Sequence, residues 1–433
     1  MQHLSTPSVR TKNATKTALK PGVLLIIDGL GDLPVPELAN KTPLEAAHTP
    51  VLDQLAANGL YGVVDPIAPG KIANTHSGTG MLIGLLPEQA EHLHRGPVEA
   101  SGAGYVLAAG DVALRANFAT LEQSSNGLVV SDRRAGRISS GTAELALALS
   151  NIDLGDGIST SIFPTDQHRA VLVLSGPGLS ADISNTDPGD SGLPAAVAGC
   201  RGLSAAAEFT AEKINRFTQL AYQLLKEHPL NLARTKAGKF NANGIILRGA
   251  GAHFELDNAV KQHGVSAAVV SGCNTVLGLG RVFGFEAITD PRFTATVKTD
   301  LEAKISAVID ALSDYDMVFL HIKAPDLCSH DLRPLQKRDF LERMDTALKP
   351  LLNTGAVIAL AADHSTDSNS GLHTADPVPS LIWQAGALDN KVEGFSFGES
   401  ACYQGNMRRQ TSHEFLLRVL ALMGYSQSDS KSV

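Results

Sequence analysis

The chain has 433 residues, of which 43% are hydrophobic and 18% are charged, and its formal net charge is −8. This length favours two domains over a single core, and the acidic balance argues against a nucleic-acid-binding protein. No stretch approaches the roughly 18 continuous apolar residues that span a bilayer, and the four scattered cysteines form no CxxC pair. We therefore expect a cytoplasmic protein with neither a nucleic acid nor a membrane as partner.

The first twenty residues are polar and carry several positive charges. They lack the apolar stretch of about 7–15 residues that a secretory signal needs. Their composition is typical of a segment that cannot bury enough apolar surface to fold. We predict that residues 1–20 form a disordered tail.

The first strong element is the run GVLLIID at residues 22–28. A continuous apolar run of this length is typical of a strand buried on both faces of a parallel sheet. Residues 42–59 follow with apolar side chains at helical spacing, and LYGVVD is a second predicted strand ahead of the loop APGKIANTHSGTG. This order of strand, helix and strand predicts an α/β sheet with helices on both faces.

The pattern changes from about residue 105. The predicted strands of this region are VALRANFATLE, GLVVSDRRAG and HRAVLVLSG, and the predicted helices are SSGTAELALALS and AAAEFTAEKINRFTQLAYQLLKEHP. A polar, lysine-rich connector at residues 233–241 follows. We predict that residues 105–235 form an inserted α+β domain.

The parallel pattern then resumes. The predicted strands are ANGIILRGAG, VSAAVVSG, DMVFLHIK and AVIALAADH, and the predicted helices are LEAKISAVIDALS, QKRDFLERMDTALKPLL and TSHEFLLRVLALMG. The predicted core is therefore discontinuous. It comprises residues 21–104 and 236–433, with a mainly parallel sheet flanked by helices.

Acidic and imidazole side chains follow the ends of the predicted core strands, where open α/β sheets place their ligand sites. They are Asp28, Asp326, His330, Asp363, His364 and His373. Any one alone is more often a cap or a surface residue. Together they form a mixed set that is sufficient for two divalent cations, Mn²⁺ or Zn²⁺ with Mg²⁺ as a third candidate. Two cations about 3.5–4 Å apart are a standard device for phosphoryl transfer.

Arginines are concentrated in the predicted insert or just before it, namely Arg95, Arg115, Arg133, Arg134, Arg137 and Arg169. Guanidinium groups bind carboxylate and phosphate through paired hydrogen bonds. Any single one of them is more often a solvated surface residue. The run DRRAGR, with its arginines packed into a turn, nevertheless predicts a cradle for an anion.

The order of motifs resembles a known family. In chain order they are LLIIDGLGD, KTPLEAAHTP, HRGPVEASG, DVALRANFAT with DRRAGR, HIKAPDLCSHD, ADHS and HTADPVPSLIW. They resemble the archaeal-type 2,3-bisphosphoglycerate-independent phosphoglycerate mutases of the alkaline phosphatase superfamily, over roughly residues 22–425. The resemblance implies an alkaline-phosphatase-like core with a substrate-binding cap domain. It also implies that 3- and 2-phosphoglycerate are interconverted without a bisphosphoglycerate cofactor.

The resemblance also implies which residues bind each metal ion and which face the substrate. One metal ion would be held by Asp326, His330 and His373, and the other by Asp28, Asp363, His364 and the nucleophile oxygen. The stretches RGPVEASG and DRRAGR would face the substrate, a small phosphorylated acid. Asp132 would be an acid/base for the substrate hydroxyl, and Lys323 would point into the same pocket.

The nucleophile loop departs from the family pattern. An ungapped alignment from Pro69-Gly70 to Gly84 places Thr75 at the position of the family's nucleophilic serine. His76 then replaces an acidic residue, and Thr79 replaces a histidine. A threonine can serve, because metal coordination lowers the pKa of either alcohol. Ser77 is the alternative nucleophile, and a helix cap without chemistry is the third interpretation.

The altered loop leaves more than one function open. The leading hypothesis is mutase chemistry through a phosphothreonine. The second is a phosphatase, or a phosphonate- or phosphodiester-processing enzyme of a specialised pathway, and the third is a catalytically inactive metal-binding or scaffolding homologue. The sequence is compatible with a homo-oligomer but gives no oligomeric state.

Overall fold

The computed structural model describes residues 19–189, 192–385 and 394–425. The predicted disordered tail, residues 1–20, lies outside the described residues except for Leu19 and Lys20. Within the described part, no α-helix combines the length and apolar character needed to span a lipid bilayer.

The strands are β1 Gly22–Ile27, β2 Leu60–Asp65, β3 Val112–Ser124, β4 Gly127–Asp132, β5 Ser159–Pro164, β6 Arg169–Ser175, β7 Ala195–Ala196, β8 Gly244–Ala252, β9 Ala267–Val270, β10 Glu286–Ile288, β11 Met317–Ile322, β12 Val357–Ala361, β13 Ser365–Asp367, β14 Leu372–Thr374, β15 Val378–Gln384 and β16 Gln410–Thr411. The α-helices are α1 Pro43–Ala46, α2 Pro50–Ala57, α3 Thr75–Leu82, α4 Arg95–Gly102, α5 Thr142–Leu149, α6 Glu208–Lys226, α7 Pro229–Lys236, α8 Ala259–Gln262, α9 Asn274–Val282, α10 Leu301–Ala311, α11 Ala324–His330, α12 Pro334–Leu348, α13 Glu399–Tyr403 and α14 Ser412–Leu422. Short 3₁₀ turns lie at Pro36–Leu38, Pro87–His92, Ala205–Ala207 and Lys349–Asn353.

The larger sheet has the strand order β10-β9-β11-β1-β12-β15-β2-β16. Its first five strands run parallel, β15 is antiparallel to both of its neighbours, and β16 is parallel to β2. Every residue of β1, β11 and β12 is buried, as expected of strands covered by helices on both faces. The predicted α/β core with a mainly parallel sheet and flanking helices is confirmed.

The smaller sheet is antiparallel and has its own hydrophobic core. Its order is β5-β6-β3-β4-β7, and β8 pairs with β3 along Gly244–Ala252. The prediction that ANGIILRGAG belongs to the larger sheet is therefore wrong. An apolar run in a strand buried on both faces has the same pattern in either sheet, so its partner could not be read from the sequence. The division into a core and a substrate-binding cap stays a proposal.

Two local predictions also need correction. The single helix predicted over residues 42–59 is two helices, because the chain leaves helical geometry at Ala47 and restarts with Pro50 at the first position of α2. Proline disfavours a helical residue before it, so the break falls there. The predicted connector at residues 233–241 begins inside α7, whose first turn is capped by the side chain of His228.

Candidate active site

Three adjacent parallel strands bring the charged residues of the site together. In the larger sheet, Ile27 pairs with Ile322 of β11, and Ile26 pairs with Ala361 of β12. When the first pairing is continued by one residue, Asp28 lies opposite Lys323. When the second is continued by two residues, Asp28 lies opposite Asp363. The carboxyl ends of parallel strands share one edge of the sheet, so residues distant in sequence meet there.

The six predicted metal ligands converge at this edge, together with His321. Ligand atoms of Asp326, His364 and His373 lie within 4.8 Å of one another, and the same holds for Asp28, His321 and Asp363. His330 joins the first group, since its Nε2 lies 3.3 Å from Asp326 Oδ1 and 3.2 Å from His373 Nε2. His364 lies between the two groups, with Nε2 3.2 Å from Asp28 Oδ1 and 3.9 Å from Asp326 Oδ1.

The histidine rings are oriented so that their Nε2 atoms face the centre. The Nδ1 atom of His330 lies 2.7 Å from the Gly371 carbonyl oxygen, and that of His373 lies 2.9 Å from the Ala73 carbonyl oxygen. The Nδ1 atom of His364 lies 3.0 Å from a hydroxyl group. Its Nε2 is buried with no hydrogen-bond partner among the described residues. Rings held through Nδ1, with Nε2 presented to carboxylates, fit the donor set of divalent Mn or Zn.

Lys323 is the cation that neutralises these carboxylates in the structure. Its Nζ lies 2.9 Å from Asp28 Oδ2 and 2.6 Å from Asp326 Oδ2. Burial alone would lower the pKa of Lys323, but Asp28, Asp326 and Asp363 raise it well above its ordinary value. Burial alone would raise the pKa of Asp28, but Lys323, His321 and His364 hold it well below its ordinary value. Burial and the charge of Asp28 raise the pKa of Asp363.

The loop that departs from the family pattern delivers Thr75 to this centre. Asn74 caps α3 and makes a reciprocal capping box with Ser77, so Thr75 is the first helical residue. Thr75 Oγ1 accepts a hydrogen bond from Lys323 Nζ at 2.9 Å. Gly78 packs against the backbone of Asp363, where an added Cβ would overlap the carbonyl oxygen. The glycine therefore permits the close approach of α3 to the strand ends.

The two other substituted loop residues have separate environments. Thr79 is buried and donates a hydrogen bond from Oγ1 to Asp363 Oδ2 at 3.3 Å. His76 is buried, and burial together with the charges of Arg95 and Arg115 lowers its pKa to about 3. His76 is therefore a neutral imidazole beside a group of arginines, next in sequence to Thr75.

The group of arginines surrounds one buried glutamate. We call it the arginine cluster, and it comprises Arg95, Arg115, Arg169 and Arg248 with Glu99. Glu99 Oε1 lies 3.5 Å from Arg95 Nε and 3.8 Å from Arg115 Nη1. Burial opposes ionisation of Glu99, but Arg115 and Arg95 outweigh it and lower its pKa to about 2. Four cations around one carboxylate leave an excess of positive charge suited to an anion.

Buried N–H groups of the arginine cluster also indicate an excess of positive charge. The Nε atoms of Arg95, Arg115, Arg169 and Arg248 are buried without a hydrogen-bond partner among the described residues. Burial raises the pKa of Asp166, in the turn between β5 and β6, although the charges of Arg169 and Lys323 oppose this change.

The predicted DRRAGR motif forms a turn next to the cluster. Arg133 donates to both carboxylate oxygens of Asp187, at 3.0 and 2.7 Å, and Arg248 Nε lies 3.7 Å from the same carboxylate. Burial and the charges of Arg137 and Arg169 lower the pKa of Arg134. Arg137 Nη1 lies 2.9 Å from Oδ1 of Asp331, the residue directly after α11. This ion pair links the turn after β4 to the region of the larger sheet.

Asp132 shapes the same turn. Its Oδ1 accepts hydrogen bonds from the backbone N–H groups of Arg134 and Gly136, at 2.8 and 3.0 Å. Its assignment as an acid/base stays a prediction.

Sequence reasoning missed three residues of the site. His321 lies inside β11, one residue before its end, so a search of the residues that follow strands does not select it. Glu99 lies in RGPVEASG four residues after Arg95, and this spacing of an acid from an arginine was a usable signal. Arg248 was missed because its strand was assigned to the wrong sheet.

The Glu99 carboxylate should contribute acid-sensitive stability. Its pKa is about 2 in the folded chain against an ordinary 4.5, so the stabilisation is full above pH 4.5 and is lost as pH falls towards 2. The shift corresponds to roughly 3 kcal/mol. The free energy of unfolding of the wild type should therefore fall between pH 6 and pH 3. We expect that of Glu99→Gln to fall less over the same range, as measured by urea unfolding. Exposed Glu122→Gln is the control, and a parallel decline in the wild type and Glu99→Gln would contradict the assignment.

Comparisons with known proteins agree on one family. Residues 56–231 match the sequence profile of the 2,3-bisphosphoglycerate-independent phosphoglycerate mutases. A protein of that name from Methanopyrus kandleri is 42% identical over 387 residues, which cover 88% of this chain and 91% of the relative. A solved structure from Pyrococcus horikoshii has a TM-score of 0.78 at 31% identity and covers 95% of this chain and 99% of that one. The cofactor-independent phosphoglycerate mutase of Thermoplasma acidophilum gives a TM-score of 0.65 at 32% identity, covering 94% of this chain and 100% of that one.

Proposed function

This chain belongs to the 2,3-bisphosphoglycerate-independent phosphoglycerate mutases, and we propose that it interconverts 3- and 2-phosphoglycerate through a phosphothreonine on Thr75. The observation that carries the proposal is the position of the Thr75 hydroxyl. It lies 2.9 Å from Lys323 Nζ, which also contacts Asp28 and Asp326. The threonine that replaces the family's serine therefore lies among the carboxylates of the metal centre.

The environment of the alternative nucleophile supports Thr75. Ser77 Oγ accepts a hydrogen bond from Asn74 N at 3.1 Å and lies 3.3 Å from the Asn74 carbonyl oxygen. Its hydroxyl is thus used in the capping box of α3. If Ser77 acted as the nucleophile, the helix would lose this part of its cap. The Thr75 hydroxyl takes no part in the capping box.

The centre would hold two divalent cations through Asp28, Asp326, Asp363, His330, His364 and His373, with His321 as a seventh candidate ligand. When bound, they supply charge neutralisation of the phosphoryl oxygens and a lowered pKa of the Thr75 hydroxyl. The arginine cluster binds the carboxylate and the phosphate of the substrate. Burial of both groups of residues excludes water, which would otherwise release free phosphate.

Group transfer on these residues balances without an external cofactor. The bond from Thr75 Oγ1 to phosphorus forms while the ester bond of the substrate breaks, and the proton lost by Thr75 ends on the freed hydroxyl. The glycerate turns while the arginine cluster retains its carboxylate. The second transfer reverses both changes on the neighbouring hydroxyl.

The test is to follow Mn²⁺-loaded enzyme and 3-phosphoglycerate by phosphorus NMR. We expect the 2-phosphoglycerate signal to grow to equilibrium while free phosphate stays near its background level. Release of phosphate without isomerisation would favour the phosphatase alternative that the altered loop raised. If the Mn²⁺-bound enzyme leaves the ester unchanged, the mutase proposal is wrong.

A further inference from the structure

A buried ion pair lies beside the metal centre and has no part in the proposed chemistry. Lys337 of α12 is fully buried, and its Nζ lies 2.7 Å from Asp32 Oδ2. Neither side chain has any exposed surface in this pair. Burial of two charges is costly, and an apolar pair of similar volume often gives a fold of equal stability. Stability alone is therefore a weak reason for an ion pair at this place.

The pair is the hub of a hydrogen-bonded network that links α12 to three other chain segments. Lys337 Nζ donates to Ser329 Oγ at 3.0 Å. Ser368 donates to Asp32 twice, from its backbone N–H to Oδ1 at 2.8 Å and from its hydroxyl to Oδ2 at 2.5 Å. The two serine hydroxyls lie 3.1 Å apart. Every distance in the network is within hydrogen-bonding range.

Each of these segments carries ligands of the metal centre. Asp32 lies in the loop that follows β1, Ser329 lies inside α11, and Ser368 lies in the turn between β13 and β14. The ligands carried by the three segments are, in chain order, Asp28, Asp326, His330, His364 and His373. The network therefore joins the ligand-bearing segments to one another through groups that do not touch the centre.

We propose that Asp32 and Lys337 are positioning residues that hold the three ligand-bearing segments in register before a cation binds. A site whose ligands are already in place loses less free energy on ordering them, so the ion pair raises metal affinity. Residues of this kind change metal affinity by about 10- to 100-fold when they are replaced. The inference rests on the metal centre of the proposed function.

The decisive variant removes both charges together. Asp32→Asn/Lys337→Met leaves no unpaired buried charge, which is the usual reason why a single substitution in such a pair unfolds a protein. We expect a folded protein by circular dichroism whose Kd for Mn²⁺ alone, measured by titration calorimetry, is raised by about 10- to 100-fold. The electron paramagnetic resonance spectrum of bound Mn²⁺ should also broaden.

Ser368→Ala provides an independent test that keeps the ion pair intact. It removes one hydroxyl that joins the β13–β14 turn to Asp32, and it should weaken Mn²⁺ binding by a smaller factor. This variant answers the question if the double variant does not fold.

The control lies in the other core. Lys213 of α6 is likewise a buried lysine, 2% exposed, and it pairs with Asp156, whose side chain is exposed. Asp156→Asn/Lys213→Met should lower the melting temperature without changing the Kd for Mn²⁺.

The outcomes distinguish failure of the positioning role from failure of the proposed metal centre. A double variant at positions 32 and 337 that binds Mn²⁺ as the wild type does would overturn the positioning role and leave the metal centre standing. A wild type that binds no Mn²⁺ would overturn both.

Discussion

Thr75→Ala should lower kcat for the isomerisation of 3-phosphoglycerate by at least about 1,000-fold. The substitution removes the hydroxyl that lies 2.9 Å from Lys323 Nζ among the carboxylates of the centre, and with it the atom that would carry the phosphoryl group. The carboxylate and histidine ligands are unchanged, so Mn²⁺ binding and folding should persist although the nucleophile oxygen is lost as a ligand. The measurement is kcat by a coupled assay, together with mass spectrometry of acid-quenched enzyme for a phosphorylated peptide.

Two further variants in the same loop test whether Thr75 or Ser77 is the nucleophile. Thr75→Ser retains the hydroxyl and should keep activity within about tenfold of the wild type, since either alcohol can act as the nucleophile. Ser77→Ala removes one side of the α3 capping box and should cost about 1 kcal/mol of stability while leaving kcat nearly unchanged. If Ser77→Ala abolishes turnover and Thr75→Ala does not, the nucleophile is the other residue of the loop.

Strand-end reasoning grouped side chains that do lie together in the structure, because their proximity depends on one simple rule. Buried apolar runs predict parallel strands, and the parallel register brings their carboxyl ends to one edge. Asp28 and Asp363 could therefore be grouped although they are far apart in the chain, as the separation of 334 between Asp363 and Gly29, the residue after Asp28, shows. His321 lies within β11 rather than beyond its end, and it was overlooked because a histidine within an apolar strand is commonly a core residue.

The arginine cluster could not be assembled in the same way. Its members come from α4, β3, β6 and β8, and their proximity depends on which strands of the smaller sheet are neighbours. Antiparallel pairing of β3 with both β6 and β8 is a long-range choice that apolar runs do not encode. Arg248 was therefore assigned to the other sheet, and of the arginines around Glu99 only Arg95, four residues earlier in the chain, could have been linked to it.

Removal of divalent cations should abolish turnover and also destabilise the protein. Asp28, Asp326 and Asp363 are buried together with partial compensation from Lys323. A cation that binds only the folded chain stabilises it by about 4 kcal/mol at 1,000 times its Kd. We expect chelated enzyme to lose at least about 1,000-fold in kcat and to melt at a lower temperature. Readdition of Mn²⁺ should restore both quantities, measured by the same assay and by calorimetry.

A pair of histidine variants tests whether this response comes from the proposed centre. His373 and His263 each hold Nδ1 near a backbone carbonyl oxygen, at 2.9 and 2.7 Å, but only the Nε2 of His373 faces Asp326. His373→Ala should therefore reduce Mn²⁺ affinity by about 100-fold or more and lose most of the thermal stabilisation by Mn²⁺. His263→Ala should respond to Mn²⁺ as the wild type does. Equal stabilisation of the two variants would place the bound cation elsewhere in the chain, and the strand-end centre would then lose its assignment as the site of phosphoryl transfer.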